Sequence, residues 1–398
     1  MLSKILFLIL PLPFILSQYS VFDDYNSFLY LSKHLLVIII FLLIFLKNIV
    51  NIKKFILKKF KIMTILMVFI TYLFINLSLN STIQSEYIYY ILSIFIMFFV
   101  VINLNTLCNL TQFKYIYFSL LFCLFGALFY SLVFDINLYG NWINLTGDNR
   151  IRWLFGFNHP GYLASYFLVL SILSFILVSN NILAHRHYII IFISLIIIIL
   201  TDTRNSLFTL IIFLLVSTSH NTFRIFKIIG ILVTSLFIAT ILTSSLDILN
   251  MYSSNRLGLW TAHFISNYDS FNILFGTGFG NVERMFHSSN TNGKVVQQVA
   301  SIFHVDNYYF EIFLQFGLVG LLLLLIFIIY LYLQTNQKQS PDQNRVLLGI
   351  LISIMFYGMF DSALISSGNI VPIVLWSLFF QLLFVNNEIL QITPIRKK

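Results

Sequence analysis

The sequence predicts an all-α, polytopic integral membrane protein with about 12 transmembrane helices, on three observations. Hydrophobic residues make up 59% of the 398 residues, whereas charged residues make up only 9%. Soluble domains carry about 25% charged residues, so this chain has too few charges to cover a water-exposed surface. The mean hydropathy of +0.92 and the recurring apolar runs place residues 1–398 in a single membrane domain.

Apolar runs mark the predicted spans, since about 20 apolar residues cross a hydrocarbon core about 30 Å thick. They cover residues 5–17, 34–50, 62–79, 87–104, 115–134, 160–179, 188–201, 205–217, 228–246, 308–333, 346–360 and 369–385. The first run contains Pro11 and Pro13 and resembles a signal-peptide core. Because no small-residue cleavage site follows it, we interpret it as an uncleaved first span. The seventh and eighth runs are predicted to form a short helical hairpin.

The distribution of lysine and arginine predicts the orientation, because cytoplasmic loops of membrane proteins are enriched in these residues. Most of the 23 basic residues fall on one side of the predicted topology, which we assign to the cytoplasm together with both termini. The external side carries Lys33, Arg150, Arg152, Arg204, Arg256, Arg284 and Lys294. It also carries a large loop, residues 247–307, before the tenth span. Because the positive charges are scattered among apolar runs, no nucleic-acid partner is predicted.

Four external arginines are the first candidate site residues: Arg150, Arg152, Arg204 and Arg256. A guanidinium group stays charged and binds phosphate oxygens through a two-point fork. Several arginines at the external membrane surface therefore favour binding of a membrane-anchored phosphate or pyrophosphate. The structural alternatives are contact with lipid headgroups and ion pairs with nearby acids, namely Asp148, Asp202 and Glu283.

His304 is the second candidate, at the start of the tenth span. An imidazole titrates near neutral pH and can accept a proton from a hydroxyl group. If the helix begins before Tyr308, then His304, Tyr308 and Glu311 share one face at positions i, i+4 and i+7. Asp306 or Glu311 could then orient the ring. The structural alternative is an interfacial histidine that flanks the helix.

Other polar positions are interpreted as structural. His159 precedes Pro160 and marks a helix start. The glycines of Gly276–Gly280 resemble a phosphate-binding loop, but no strand–turn–helix unit surrounds them, so they indicate a tight turn or a close backbone approach. Gly317 and Gly320 favour close helix packing. Neither the histidines nor the two cysteines predict a metal site.

The order of these segments resembles the O-antigen polymerase and O-antigen ligase superfamily of bacterial envelope polysaccharide proteins. The resemblance covers roughly residues 150–320, and the general topology extends it to the whole chain. The matching segments are Phe157–Tyr166, Thr203–Ser206, Arg256–Trp260, Gly276–Gly280, and His304–Tyr309 running on to Gly317 and Gly320. Each motif alone is degenerate, and the specificity comes from their order, spacing and shared side of the membrane.

The resemblance implies a metal-independent glycosyltransferase, without a cofactor, at the outer face of the bacterial cytoplasmic membrane. The donor would be a glycan on undecaprenyl pyrophosphate, and a hydroxyl of a glycan acceptor would attack its anomeric carbon. Arg204 and Arg256 would bind the pyrophosphate, and His304 would activate the acceptor. Arg150, Arg152, Asp306, Tyr308 and Glu311 are the expected substrate-binding residues. The chain has Val305-Asp306-Asn307 where many relatives have asparagine directly after the histidine.

Within this superfamily, polymerases join repeat units and ligases transfer the finished chain to lipid A core. The asparagine–tyrosine run after Asp306 favours a polymerase, with a chain-length regulator and a flippase as expected partners. A polysaccharide flippase or secondary transporter is the alternative from another class, and a noncatalytic envelope scaffold is a further one. Transporters usually show internal repeats and polar residues in broken helices near the membrane midplane, and the sequence shows no convincing repeat.

Overall fold

The computed structural model describes residues 2–48, 52–80, 85–107, 109–143, 149–218, 260–261, 272–278, 307–335, 340–361 and 369–384. The described chain is mostly helical. Its helices are α1 Leu2–Ile9, α2 Pro11–Leu16, α3 Asn26–Asn48, α4 Ile52–Asn80, α5 Ser85–Asn103, α6 Phe113–Phe134, α7 Pro160–Ser179, α8 Ile189–Leu200, α9 Arg204–Ser217, α10 Tyr308–Thr335, α11 Pro341–Gly358 and α12 Ile370–Phe384. Two strands, β1 Tyr139–Ile143 and β2 Asn149–Trp153, lie between α6 and α7.

Wherever a predicted span falls on described residues, a helix occupies it. Within the described ranges, five helices are long and apolar enough to cross a membrane, namely those covering Ser27–Lys47, Lys59–Asn76, Leu110–Phe134, Pro160–Ser179 and Tyr308–Thr335. Shorter apolar helices cover Lys4–Leu16, Ile91–Thr106, His185–Leu200, Arg204–Ser217 and Ile370–Phe384. The protein is therefore a helical protein suited to a membrane. The predicted span 228–246 falls in a part of the chain that the structure does not describe.

The centre of the bundle is formed by α7 and α12. Every residue of α12 from Ile370 to Leu382 is buried, and α7 is buried continuously from Leu163 to Val178. Both helices are apolar on all sides, which is the pattern of an enclosed helix. α12 packs against α5, α7 and α11, and its Trp376 ring lies 5.9 Å from that of Phe98.

The first predicted span consists of two short helices that are packed into the bundle. The helix is interrupted before Pro11, which has no N–H to continue a hydrogen-bond ladder. α1 and α2 both pack against α6. The side chains of Phe14 and Ile15 are each 1% exposed, and the Tyr166 hydroxyl donates to the Phe14 carbonyl at 2.8 Å. The segment therefore joins the same core as α6 and α7.

An antiparallel β-hairpin follows α6, where the sequence analysis predicted only an external loop. Tyr139 pairs with Trp153, and Ile143 pairs with Asn149. The Tyr139 and Trp153 rings lie 6.1 Å apart in an edge-on arrangement, a cross-strand contact that stabilises hairpins. The described chain fits the all-α prediction apart from this short hairpin, which forms where aromatic and β-branched residues recur at alternate positions of β2. We call this side of the molecule the hairpin end.

The opposite end of the bundle is rich in lysine, and we call it the lysine end. The Lys59 ammonium group is buried there and donates to the Ile102 carbonyl at 2.6 Å, Asn103 Oδ1 at 3.0 Å and Asn105 Oδ1 at 2.8 Å. Lys47 donates to the Thr106 carbonyl at 2.5 Å. These cations bind oxygens at the carboxyl end of α5, where the helix dipole is negative.

Helix α10 is interrupted at Gly317, whose φ of 65° and ψ of −164° are not helical. The turn Asn272–Gly278 lies against this interruption. A Cβ atom on Gly317 would overlap the Leu274 backbone, and one on Gly276 would overlap the Gln315 backbone. Gly276–Gly280 and Gly317 were predicted to permit a close backbone approach or close packing. The described part of these segments shows two backbones in direct contact.

Candidate functional site

Two of the predicted arginines meet at the hairpin end and share one carboxylate. Arg152 Nη2 lies 3.6 Å from Asp202 Oδ2, and Arg204 Nε lies 4.0 Å from Asp202 Oδ1. The side chain of Arg152 is 15% exposed, that of Arg204 33% and that of Asp202 38%. Neither contact has the length of about 2.7–2.9 Å that marks a strong charge-assisted hydrogen bond. Together the three groups carry a net positive charge.

The turn between α8 and α9 sets the position of this charge cluster. Asp202 has φ 49°, a left-handed conformation that Asp adopts more readily than most residues. Arg204 is the first residue of the 14-residue helix α9. A cation is unfavourable at a helix N-terminus, where the dipole is positive. The fold therefore places positive charge from a side chain and from a helix end in one region, as an anion-binding site requires.

The hairpin carries Arg152, the second arginine of the cluster. Arg152 lies on β2 opposite Gly140, and Arg150 lies two residues earlier opposite Trp142. The Leu154 and Phe155 N–H groups both donate to the Leu138 carbonyl, at 2.8 and 3.2 Å, and extend the hairpin towards α7. The backbone thus places the strand that carries both arginines next to the start of α7, and the Arg152 side chain reaches Asp202.

The loop between the hairpin and α7 is held by the segment after α2. The Ser20 N–H donates to the Gly156 carbonyl at 2.8 Å, and Asn158 Nδ2 donates to Asp23 Oδ1 at 2.8 Å. Gly156 has φ 82°, and a Cβ atom there would overlap the Tyr19 ring. Burial raises the pKa of the Tyr19 hydroxyl, which therefore stays neutral at physiological pH.

His159 is the N-cap of α7, as the sequence analysis expected from the proline after it. Its Nδ1 accepts a hydrogen bond from the Gly161 N–H at 3.0 Å. Because Nδ1 is the acceptor, the ring is neutral in this arrangement and its proton is on Nε2. The ring also lies 5.7 Å from that of Tyr162. His159 thus fixes the start of a central helix.

The starts of α9 and α10 meet at the last turns of α11. Asn205 Nδ2 donates to the Tyr357 carbonyl at 3.4 Å, and the Tyr309 hydroxyl donates to the Met355 carbonyl at 2.9 Å. The two accepting carbonyls are two residues apart on α11. The neighbour of Arg204 and the first turn of α10 are therefore attached to one short stretch of backbone at the hairpin end.

The first turn of α10 contains two predicted substrate-binding residues. Tyr308 is buried, with 2% exposure, and Glu311 Oε1 accepts from Gln315 Nε2 at 3.1 Å. Asn307 caps the helix, because its Oδ1 accepts from the Phe310 N–H at 3.0 Å. The helix thus begins at Tyr308. The shared helical face with His304 depended on an earlier start, and His304 itself lies outside the described residues.

Three predicted site residues, Arg256, His304 and Asp306, fall outside the ranges that the structure describes. The side chain of Arg150 is likewise not described. Within the described ranges, no group of three or more His, Cys, Asp or Glu side chains could hold a metal ion. What the structure does bring together is Arg152, Asp202 and Arg204.

Tyr357 and Asp361 at the end of α11 were missed by the sequence analysis as site residues. The buried Tyr357 side chain interacts with the side chains of Asp361 and Ser165. In the predicted topology Asp361 is an acid of the external side. The available signal was its position directly after an apolar run, where an acid adjoins the membrane surface. The interaction of Tyr357 with Ser165 could not be inferred, since nearly 200 residues separate them.

The geometry defines a polar region where α7, α9, α10 and α11 end together. It combines two arginines, one shared aspartate, tyrosine hydroxyls and the N-terminus of α9. Such a region can bind an anionic group and, through its hydroxyl and carboxylate groups, a polar partner of that group. No model of a known protein family matches this chain, and no curated protein matches it.

Proposed function

We propose that the protein is a glycosyltransferase that polymerises oligosaccharide repeat units carried on undecaprenyl pyrophosphate. The reaction would take place at the outer face of the bacterial cytoplasmic membrane, on the side of the hairpin end. The observation that carries the proposal is the convergence of Arg152 and Arg204 on Asp202 beside the N-terminus of α9. A lipid-linked pyrophosphate would meet two guanidinium forks there, at the end of a helical bundle suited to a membrane.

The proposed reaction is a displacement at the anomeric carbon of the donor. An acceptor hydroxyl oxygen forms the new bond to this carbon as the bond to the pyrophosphate oxygen breaks. The electron pair leaves with the undecaprenyl pyrophosphate, and the hydroxyl proton passes to a base, for which the family resemblance suggests His304. Arg152 and Arg204 stabilise the negative charge that grows on the leaving group. Preorganised charge of this kind is usually the largest contribution to catalysis.

The resemblance also supports a role for Arg256, whose sequence surroundings contain no acid within eight residues. Tyr308 and Glu311 lie in the helix that meets α11 beside Asn205. This arrangement supports an acceptor site next to the arginines. A ligase that transfers the polymer to lipid A core would use the same chemistry, and the geometry of the described residues does not favour one acceptor over the other.

A transporter is the second candidate, and the interruption of α10 is the observation that favours it. Broken helices form the substrate and ion sites of many transporters, through backbone groups that the break sets free. In α10 the freed groups at the break are already bound to the turn Asn272–Gly278. The break is therefore filled by protein, which argues against binding of a transported substrate there.

The deciding experiment is an electrophoretic profile of surface polysaccharide from a deletion strain. Single-repeat chains in place of long chains would support the polymerase. Lipid-linked polymer that stays unattached at the surface would identify a ligase instead. Repeat units that accumulate on the cytoplasmic leaflet would identify a transporter, and a normal profile would refute all three. Restoration by the wild-type gene but not by Arg204→Lys would tie the result to the arginine cluster.

A further inference from the structure

The turn Asn272–Gly278 replaces two backbone hydrogen bonds of helix α10 with bonds to its own backbone. In a continuous helix, the N–H groups of Leu318 and Val319 would donate to the carbonyls of Leu314 and Gln315. Here the turn binds both the donors and the acceptors of these two hydrogen bonds. The four hydrogen bonds are Leu318 N–H to Ile273 O (2.8 Å), Val319 N–H to Leu274 O (3.2 Å), Thr277 N–H to Leu314 O (2.9 Å) and Gly278 N–H to Gln315 O (3.0 Å).

Further backbone groups at the tip of the turn are also paired. Asn272 Oδ1 accepts from the N–H groups of Leu274 and Phe275, at 2.9 and 3.3 Å. Asn272 and Gly276 exchange backbone hydrogen bonds, and the Phe275 carbonyl accepts from Asn76 Nδ2 at 2.6 Å. Every carbonyl from residue 272 to 276, and every N–H from 274 to 278, therefore has a partner. Irregular backbone is tolerated in hydrocarbon only when its polar groups are satisfied in this way.

The tip of the turn exposes three consecutive apolar side chains. Ile273 is 65% exposed, Leu274 51% and Phe275 43%. Next to them on α10 begins a stripe of exposed apolar residues at helical spacing, comprising Leu318, Leu322, Ile326, Ile329 and Leu333. The stripe belongs to a helix with the length and hydropathy of a membrane span. The apolar tip is thus continuous with a surface of α10 that faces lipid if the helix crosses the membrane.

The depth of the contact follows from the helix length. The 28 residues of α10 extend over about 42 Å at about 1.5 Å per residue. A hydrocarbon core about 30 Å thick, centred on this helix, begins about 6 Å from either end. Leu318 is ten residues beyond Tyr308, or about 15 Å along the axis. With the core centred in this way, the turn meets α10 inside it.

We propose that Asn272–Gly278 is a re-entrant segment, in which the chain returns from the hairpin-end surface into the membrane. The side chains of Ile273, Leu274 and Phe275 contact lipid acyl chains in that leaflet. The described turn within the predicted loop 247–307 is then embedded in the membrane. The interruption of α10 supplies the backbone hydrogen-bond donors and acceptors that the turn needs in lipid. This assignment does not depend on the proposed glycosyltransferase activity.

The test measures the solvent around a spin label at residue 273. Ile273→Cys is made with Cys108→Ser and Cys123→Ser, and the labelled full chain is reconstituted in vesicles of phosphatidylethanolamine and phosphatidylglycerol. Collisions of the label with oxygen, which enters lipid, are compared with collisions with a polar nickel chelate. Leu322→Cys provides the lipid-facing control on α10, and Ile151→Cys on the hairpin provides the aqueous control. Leu274→Cys repeats the measurement at a second position.

The expected ratio of oxygen to chelate collisions at 273 and 274 matches that at 322. It should exceed the ratio at 151 roughly tenfold, since the polar chelate is excluded from hydrocarbon. A ratio like that of 151 would place the turn in water and overturn the proposal. Low collision rates with both reagents would mean that protein covers the tip, and would overturn the lipid contact as well.

Discussion

At the scale of single residues, Arg152 and Arg204 differ from an ordinary surface ion pair, because both lie near the one carboxylate of Asp202. A matched ion pair exists at the lysine end, where Arg345 Nη1 lies 3.6 Å from Asp342 Oδ1. That pair is solvent-exposed, and exposed pairs contribute little to stability. Arg152 and Arg204 differ from it because they converge on one acid and adjoin a helix N-terminus.

Substitution of Arg204 by lysine tests the binding role. The charge is kept but the two-point fork is lost, so we expect the transfer rate to fall on the order of 10²-fold, as for loss of one charge-stabilising donor. The measurement is polymer formation from lipid-linked repeat units by purified protein. Arg345→Lys is the control and should retain the wild-type rate. Full activity of Arg204→Lys at normal protein levels would show that Arg204 acts only as a point charge.

Lys59 illustrates a buried cation whose role is structural. Its three hydrogen bonds satisfy oxygens in the last turn of α5 and just after it, and its ammonium nitrogen lies 4.6 Å from the centre of the Phe384 ring. Lys59→Met would leave these oxygens without the cation. We expect a loss of stability of about 1–3 kcal/mol, seen as a lower midpoint for heat-induced aggregation in detergent. Lys61→Met, at an exposed position, should keep the wild-type midpoint, and equal midpoints for both variants would contradict this role.

At the scale of elements, the contact between α10 and the turn Asn272–Gly278 depends on two glycines. Gly317→Ala would place a Cβ atom against the Leu274 backbone at a positive φ. The left-handed conformation alone costs an alanine roughly 1–2 kcal/mol, and the overlap adds to this. We therefore expect a lower yield of monodisperse protein on size-exclusion chromatography. Gly126→Ala in α6 is the control, since no atom lies within 4 Å of its added Cβ. Equal yields from the two variants would show that the contact does not require glycine.

The predicted apolar runs agree best with the observed helices where the sequence itself marks the end of a helix. α7 covers Pro160–Ser179 as predicted, because His159 and Pro160 mark its start in the sequence. α3 begins at Asn26 although the predicted run began at residue 34, since Lys33 and His34 interrupted the apolar pattern. Both residues nevertheless belong to the helix, and Lys33 lies with its ammonium group 5.0 Å from the Tyr30 ring centre. Leu29 and Lys33 in these first turns are buried, which hydropathy alone does not report.

The hairpin and the interrupted helix could not be predicted for a different reason. Both depend on pairing between segments, as in Tyr139 with Trp153 and Leu274 with Val319. The glycines gave a signal for close approach but did not identify the partner. In the same way, Arg204 and Asp202 could be paired from sequence because they are neighbours, whereas the interaction of Tyr357 with Ser165 joins distant helices.

At the scale of the whole molecule, the described basic residues are divided unequally between the two ends. Lys4 lies near Tyr115 at the lysine end, with its ammonium nitrogen 6.0 Å from the ring centre. Lys47, Lys59 and Lys114 belong to the same end, by their contacts with the end of α5 or their position at the start of α6. The positive-inside rule predicts that this end faces the cytoplasm.

Cysteine labelling tests this orientation. In a chain with Cys108→Ser and Cys123→Ser, Ile151→Cys on the hairpin should react with an impermeant thiol reagent in intact cells. Asp342→Cys at the lysine end should react only after the membrane is permeabilised. Both positions are exposed, at 68% for Ile151 and 71% for the Asp342 side chain, so a difference would report sidedness. The reverse labelling pattern would invert the orientation and place the arginine cluster in the cytoplasm.

The central position of α12 has a consequence for biogenesis. α12 follows every other described helix in the chain, yet it fills the middle of the bundle against α5, α7 and α11. The surrounding helices are synthesised before α12, so they enter the membrane without this packing partner. Until Trp376 and Phe380 are inserted, the residues that contact them face lipid or one another. We therefore expect final packing to be a late step, in which α12 joins α5, α7 and α11 after they have entered the membrane.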